Sequence, residues 1–191
     1  NGVERRIDIG RGNPHAHWMS HDGKTMVTPN AFSADTTQYD FTNNRIDAIH
    51  PAGVIPIATG MTPDSKKYYV ASLLDSKITV IDMTNNIVTG TINLLAGYDP
   101  IGGGITGTEF GGALPIQTPV SPDGKSMVTV NTLTGTIAII DPKTDKVVKF
   151  LGCDPGCHGV QYGAKQGGGF YAYVSSKFSN RLIVVDANDP A

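Results

Sequence analysis

Apolar and polar positions alternate with a period of two in a series of short runs, the pattern of half-buried β-strands. Thr25-Met26-Val27-Thr28, Tyr68-Tyr69-Val70-Ala71, Ser126-Met127-Val128-Thr129-Val130 and Phe170-Tyr171-Ala172-Tyr173-Val174-Ser175 are rich in β-branched and aromatic residues. Tight turns precede the first three: Ser20-His21-Asp22-Gly23, Thr62-Pro63-Asp64-Ser65 and Ser121-Pro122-Asp123-Gly124. These turns stand 42 and 59 residues apart. A second apolar stretch follows each run and ends at Asp40, Asp82, Asp141 or Asp186, with spacings of 42, 59 and 45 residues. The turns after the first three, Asp40-Phe41-Thr42-Asn43-Asn44, Asp82-Met83-Thr84-Asn85-Asn86 and Asp141-Pro142-Lys143-Thr144-Asp145, are nearly interchangeable.

One unit therefore reads strand, turn, strand, turn, strand, Asp turn, strand. Four short strands in about 42 residues is the size of one propeller blade. A lone blade cannot bury both faces, so blades must stack around an axis. The expectation is an all-β chain, a β-propeller of four-stranded antiparallel blades with about four blades present. Their approximate bounds are 10–50, 51–94, 114–151 and 152–191, with an insertion loop over 95–113. Arg6-Ile7-Asp8-Ile9-Gly10 reads as a fourth strand, and Leu182-Ile183-Val184-Val185-Asp186 as a third.

The units resemble the YVTN family of β-propellers. The family pattern, roughly Ser-Pro-Asp-Gly, then Tyr-Val-x-Asn, then an apolar strand ending in Ile-Asp, is met by three segments. They are Ser121-Pro122-Asp123-Gly124-Lys125, Met127-Val128-Thr129-Val130-Asn131 and Thr136-Ile137-Ala138-Ile139-Ile140-Asp141. The resemblance covers nearly the whole chain. It implies a ring that usually closes with seven blades, so further blades are expected from another segment or another chain. It says little about chemistry, because such propellers host many functions.

Aligning the copies puts His15, Ile57, Ile116 and His158 at the start of the innermost strand. The connections before them should emerge together on one side of the disc. Two are unusual. The stretch from Leu94 to Ala113 supplies the 17 extra residues of the long spacing (59 − 42). Its Tyr98, Asp99, Glu109 and Phe110 are candidates to face a partner. Its Gly102-Gly103-Gly104 lacks the Gly-Lys-Ser/Thr of a phosphate loop. The second is Gly152-Cys153-Asp154-Pro155-Gly156-Cys157-His158.

Pro14-His15-Ala16-His17-Trp18-Met19 should be a strand with His15, His17 and Met19 on one side. Two imidazoles and a thioether would suit copper. Against that, Met19 aligns with Met61 and Val120 and reads as core, and His15 can serve structure by bonding a neighbouring blade. His21 and His50 read as plain surface residues, and Lys66, Lys67, Lys143 and Lys146 as solvated ones.

Cys153 and Cys157 admit several readings: a small disulfide ring, covalent haem c, a metal site using Cys157 and His158, or free thiols. Haem c ordinarily wants two residues between its cysteines, and here there are three.

Composition narrows the classes. The net charge of −2 lacks the basic surplus of a nucleic-acid binder. No apolar run approaches the ~18 residues of a membrane-spanning helix. The sequence holds no nucleophile elbow, and the repeat explains the aligned aspartates as turn formers. The function expected is an exported binding or scaffold module, in the periplasm or outside the cell, presenting its loop-rich side to a redox partner or subunit. The alternative is a metal- or haem-holding electron-transfer propeller that uses His15, His17, His158 and Cys157.

Overall fold

The computed structural model describes Gly2 and residues 5–96 and 112–188. Every regular element among them is a β-strand. The first blade holds β1 (Trp18–Met19), β2 (Thr25–Asn30), β3 (Asp35–Asp40) and β4 (Arg45–Pro51). The second holds β5 (Pro56–Met61), β6 (Lys67–Ser72), β7 (Lys77–Asp82) and β8 (Ile87–Asn93). The third contains β9 (Met127–Asn131), β10 (Thr136–Asp141) and β11 (Lys146–Gly152), and the fourth β12 (Cys157–Ala164), β13 (Phe170–Ser176) and β14 (Arg181–Val185). All neighbours in these sheets pair antiparallel.

The third blade keeps its innermost segment without a continuous strand. Pro115 bridges Asn131 and Val120 bridges Met127, while Ile116 N–H donates to Val130 O at 3.1 Å. Pro115 and Pro119 carry no N–H, which interrupts the ladder. The expected strand over Pro14–Met19 is likewise shortened to Trp18–Met19, with a bridge from Pro14 to Asn30. The expected strand over residues 6–10 does not form. That stretch lies against the first blade instead, with Ile9 buried and Arg5 donating to Tyr39 Oη at 3.3 Å.

The repeat is carried into fine geometry. Asp40 Oδ1 accepts from Thr42 N–H at 2.7 Å and from Asn43 N–H at 3.2 Å, and Asp82 Oδ1 repeats both distances with Thr84 and Asn85. The Asn43 and Asn85 side chains, then these backbone groups, hold both carboxyls below the usual carboxylate value. A bulge falls at the same place in three blades: Gln38/Tyr39, Val80/Ile81 and Ile139/Ile140. Bulges re-aim a strand and increase its twist, and here they do so once per blade.

The core lies between blades. Val27 of the first packs with Met61, Tyr68, Val70 and Ile81 of the second. Tyr69, Ile78 and Val80 of the second meet Val120, Met127, Ala138 and Ile140 of the third. Val128, Val130, Ile137 and Ile139 of the third meet Val160, Ala172 and Val174 of the fourth. Successive side chains on each strand thus serve opposite seams, as a period of two requires.

Candidate functional site

The side of the arc that carries the blade connections is built from two turns per blade. In each blade the hairpin between the second and third strands is pinned to the connection that enters that blade. Phe32 N–H donates to Gly12 O at 3.1 Å, Leu74 to Val54 O at 3.2 Å, Leu133 to Ala113 O at 3.1 Å and Phe178 to Pro155 O at 3.4 Å. The residue after each acceptor has a positive φ: Asn13, Ile55, Leu114 and Gly156. At the hairpin tips the side chains are apolar and turned to solvent. Phe32 is 77% exposed, Leu74 51%, Leu133 54% and Phe178 78%. Their spacings of 42, 59 and 45 residues are those of the repeat. That signal was available in the sequence, but a single apolar residue inside a turn does not register as periodicity.

His15 and His17 lie in the segment that leads into β1, ahead of the strand itself, and are both exposed. His15 Nδ1–H donates to Ile57 O at 2.8 Å, tying the first blade to the second at the repeat-equivalent residue. His158 is half-buried; burial, then Lys177, depress its basicity. Met19 is 38% exposed, whereas Met61 and Val120 are buried. It takes the position that faces a preceding blade, and no blade precedes the first among the described residues, so the expectation of a core methionine is corrected. His50 is corrected the other way. It is buried, its Nε2 has no hydrogen-bond partner, and burial lowers its pKa.

Cys153 and Cys157 are both free thiols, so the expected disulfide is not formed in this structure. Cys157 is fully buried, its Sγ pointing at Asn131 O (3.8 Å) and Thr136 O (4.0 Å). Burial, and then the neighbouring Cys153 thiol, push its pKa up. The two side chains pack on one apolar cluster between the third and fourth blades. This does not fit covalent haem, whose attachment needs both thiols to face the porphyrin. It does not fit a copper centre either. Among the described residues no group of three or more His, Cys, Asp or Glu side chains could hold a metal, so His15, His17, His158 and Cys157 do not form a ligand set. Tyr98, Asp99, Glu109 and Phe110 lie outside the described residues.

On the opposite side, Lys67 is not the solvated residue expected. Its Nζ reaches across the seam to Asp145 at 2.8 Å and to Pro142 O at 2.9 Å, and Tyr69 Oη donates to Asp145 Oδ1 at 2.8 Å. This strut closes one side of a cavity of about 650 Å³ between the second and third blades. Asp64, Asp82 and Asp123 line it with Lys66, Lys67 and Lys143. The mixed charges leave no ligand chemistry favoured.

A second surface stands at the end of the arc. Leu182 and Val184 on β14 align with Ile78 and Val80 and with Ile137 and Ile139. Those four are buried against the following blade, whereas Leu182 is 61% and Val184 52% exposed. Tyr173 aligns with Tyr69 and Val128, and Tyr171 stacks edge-on to it with ring centroids 6.4 Å apart. The fourth blade therefore leaves Leu182 and Val184 exposed and Tyr173 half-buried at positions that its neighbours bury in a seam.

The solved structures most usefully compared are propeller proteins. The fold is similar to that of hydrazine synthase of Kuenenia stuttgartiensis, with a TM-score of 0.66, 18% identity, and 97% of this chain matched to 53% of that one. It is similar also to U3-55K, with a TM-score of 0.66, 9% identity, and 94% of this chain matched to 54% of that one. The chain spans about half the length of either. At these identities the likeness speaks to the fold alone: this is a β-propeller arc. No family model matches the chain, and no curated protein does.

Proposed function

We propose that the chain is a four-blade arc of a YVTN-type propeller that acts as a binding scaffold. Its fourth blade docks onto further blades, and its connection side receives a protein partner, a redox protein or another subunit. The observation that carries this reading is the seam-like face of Tyr173, Leu182 and Val184. Apolar side chains at these positions are buried in the second and third blades, and each is worth about 1.5–3 kcal/mol when buried. The length of the compared propellers, about twice that of this chain, supports further blades. Export to the periplasm or cell surface rests on the YVTN resemblance and on the close cysteine pair, which an oxidising compartment would allow to join.

The test uses the protein in its native assembly. Hydroxyl-radical footprinting of that assembly should find the Leu182 and Val184 side chains protected, and Leu182→Lys with Val184→Lys should lower the assembly's melting temperature and release the chain from it. Full labelling of both side chains in the native assembly, with no effect of the double substitution, would refute the scaffold reading.

A further inference from the structure

The connection into the fourth blade departs from the repeat at both of its ends. In the first three blades the residue that opens the innermost segment is a proline: Pro14 opposite Asn30, Pro56 opposite Ser72 and Pro115 opposite Asn131. In the fourth it is Cys157, opposite Ser176. The residue after each outermost strand donates its N–H to the hairpin of its own blade: Ala52 to Ala34 O at 3.0 Å, Leu94 to Ser76 O at 3.0 Å and Cys153 to Gly135 O at 2.8 Å. Ala52 and Leu94 are buried there, whereas Cys153 is half-buried. Proline at one place, and alanine or leucine at the other, satisfy the fold, so packing calls for sulfur at neither. Sulfur stands at both, and the sequence holds no other cysteine.

The two thiols converge. Cys153 Sγ lies 3.9 Å from Ser176 Oγ, and Ser176 is the cross-strand partner of Cys157. Both side chains pack on the same cluster, and the Cys153 thiol is close enough to help raise the pKa of Cys157. Their settings differ. Cys153 is within reach of solvent, while Cys157 is fully buried. An oxidant therefore meets Cys153 first, and a second thiol beside it is placed to resolve the product. The strap between them clasps both blades. Thr132 Oγ1, in the third-blade hairpin, donates to Cys157 O at 2.7 Å. In the fourth-blade hairpin, Lys177 N–H donates to Gly156 O at 2.9 Å and Phe178 N–H to Pro155 O at 3.4 Å. With both thiols free, only noncovalent contacts hold this strap closed, so it can open locally.

We propose that Cys153 and Cys157 form a peroxide-sensitive dithiol switch that locks the connection between the third and fourth blades. Hydrogen peroxide oxidises the Cys153 thiol to a sulfenic acid and releases one water. The Cys157 thiol then attacks that sulfur. The S–S bond forms as the S–O bond breaks, and the Cys157 proton leaves with the hydroxyl as a second water. The disulfide closes residues 153–157 into a ring and holds Pro155 O and Gly156 O in place for the hairpin that carries Phe178. A dithiol reductant returns both thiols by exchange. The switch goes beyond the scaffold reading and stands without it.

The test treats the purified, reduced chain with equimolar hydrogen peroxide. The product should lose two hydrogen atoms, give a linked Cys153–Cys157 peptide on digestion, and revert with dithiothreitol. Its Lys177 and Phe178 amides should exchange at least about tenfold more slowly than in the dithiol form, and its melting temperature should rise. Cys153→Ser replaces a half-buried side chain, so it should fold and show none of these responses. Cys157→Ala should instead let excess peroxide carry Cys153 on to the sulfinic acid, a gain of two oxygen atoms; if that variant does not fold, Cys153→Ser decides. An unreactive wild-type chain, oxygen added to Cys153 without a link, or a disulfide between two copies would overturn the proposal. So would a Cys153–Cys157 link that leaves exchange at Lys177 and Phe178 unchanged.

Discussion

Gly60→Ala should open the seam between the second and third blades. Gly60 lies on β5, and a Cβ built there would sit 2.8 Å from the Thr118 carbonyl carbon and 3.3 Å from Pro119 Cα, with the Thr118 oxygen nearer still. Non-bonded carbons rest at about 3.5–4.0 Å, so the two innermost segments would have to part by roughly 1 Å. Both obstructing groups are backbone, and no rotamer can relieve them. Parting the segments also loosens the cluster of Tyr69, Ile78, Val120 and Met127 beside them. The cost belongs at the upper end of overpacking, about 3 kcal/mol, and for a chain of this size it would lower the melting temperature by about 6–12 °C. Gly90→Ala is the matched control, because a Cβ there meets no atom within 4 Å. It should be neutral or stabilising by less than about 1 kcal/mol. Thermal and denaturant unfolding of the two variants side by side decides the matter. If Gly60→Ala melts within about 2 °C of Gly90→Ala, the two segments do not approach as closely as described.

Three further outcomes follow from buried or bridging groups. Asp145→Ala removes the acceptor shared by Lys67 and Tyr69 and should cost about 1–3 kcal/mol; a double-mutant cycle with Tyr69→Phe should show coupling above about 0.5 kcal/mol, and additive effects would deny the strut. Iodoacetamide should modify Cys153 in the folded protein and Cys157 only after unfolding, because Cys157 is fully buried with a raised pKa; equal rates by mass spectrometry would contradict this. Burial lowers the pKa of both His50 and His158 below the ordinary histidine value of about 6.5. The unfolded chain then takes up protons first as pH falls, so the stability is complete above about pH 6.5–7 and declines below it. Melting temperatures from pH 8 to 5 should show this decline, and His50→Leu should flatten it; a wild-type profile already flat to pH 5 would refute the assignment.

The architecture was legible because the repeat writes itself twice. Spacings of 42 and 59 recur in the turns, in Asp40, Asp82 and Asp141, and again in the bulges and positive-φ residues. A repeat constrains local backbone chemistry, and local chemistry is what residue types report. The misreadings came where a residue's setting depends on a neighbouring blade. Met19 and Met61 occupy one repeat position, yet only Met61 has a blade to pack against. His50 ends a strand of alternating pattern and looks exposed, but its ring turns into the structure. Lys67 looks solvated until Asp145, on the next blade, comes within 2.8 Å.

The candidate site was less legible for the same reason. His and Cys residues attract attention because few chemistries use them, whereas the features that repeat are hydrophobic tips and one uncovered seam. His15 serves structure by bonding Ile57 O, and Cys157 serves it by filling the core between two blades. Once these are absorbed, what remains are surfaces on opposite logic. The seam of the fourth blade is apolar because every seam in the arc is apolar, so it asks for another blade. The tips are apolar although the fold has no use for them there, so they ask for something outside the propeller.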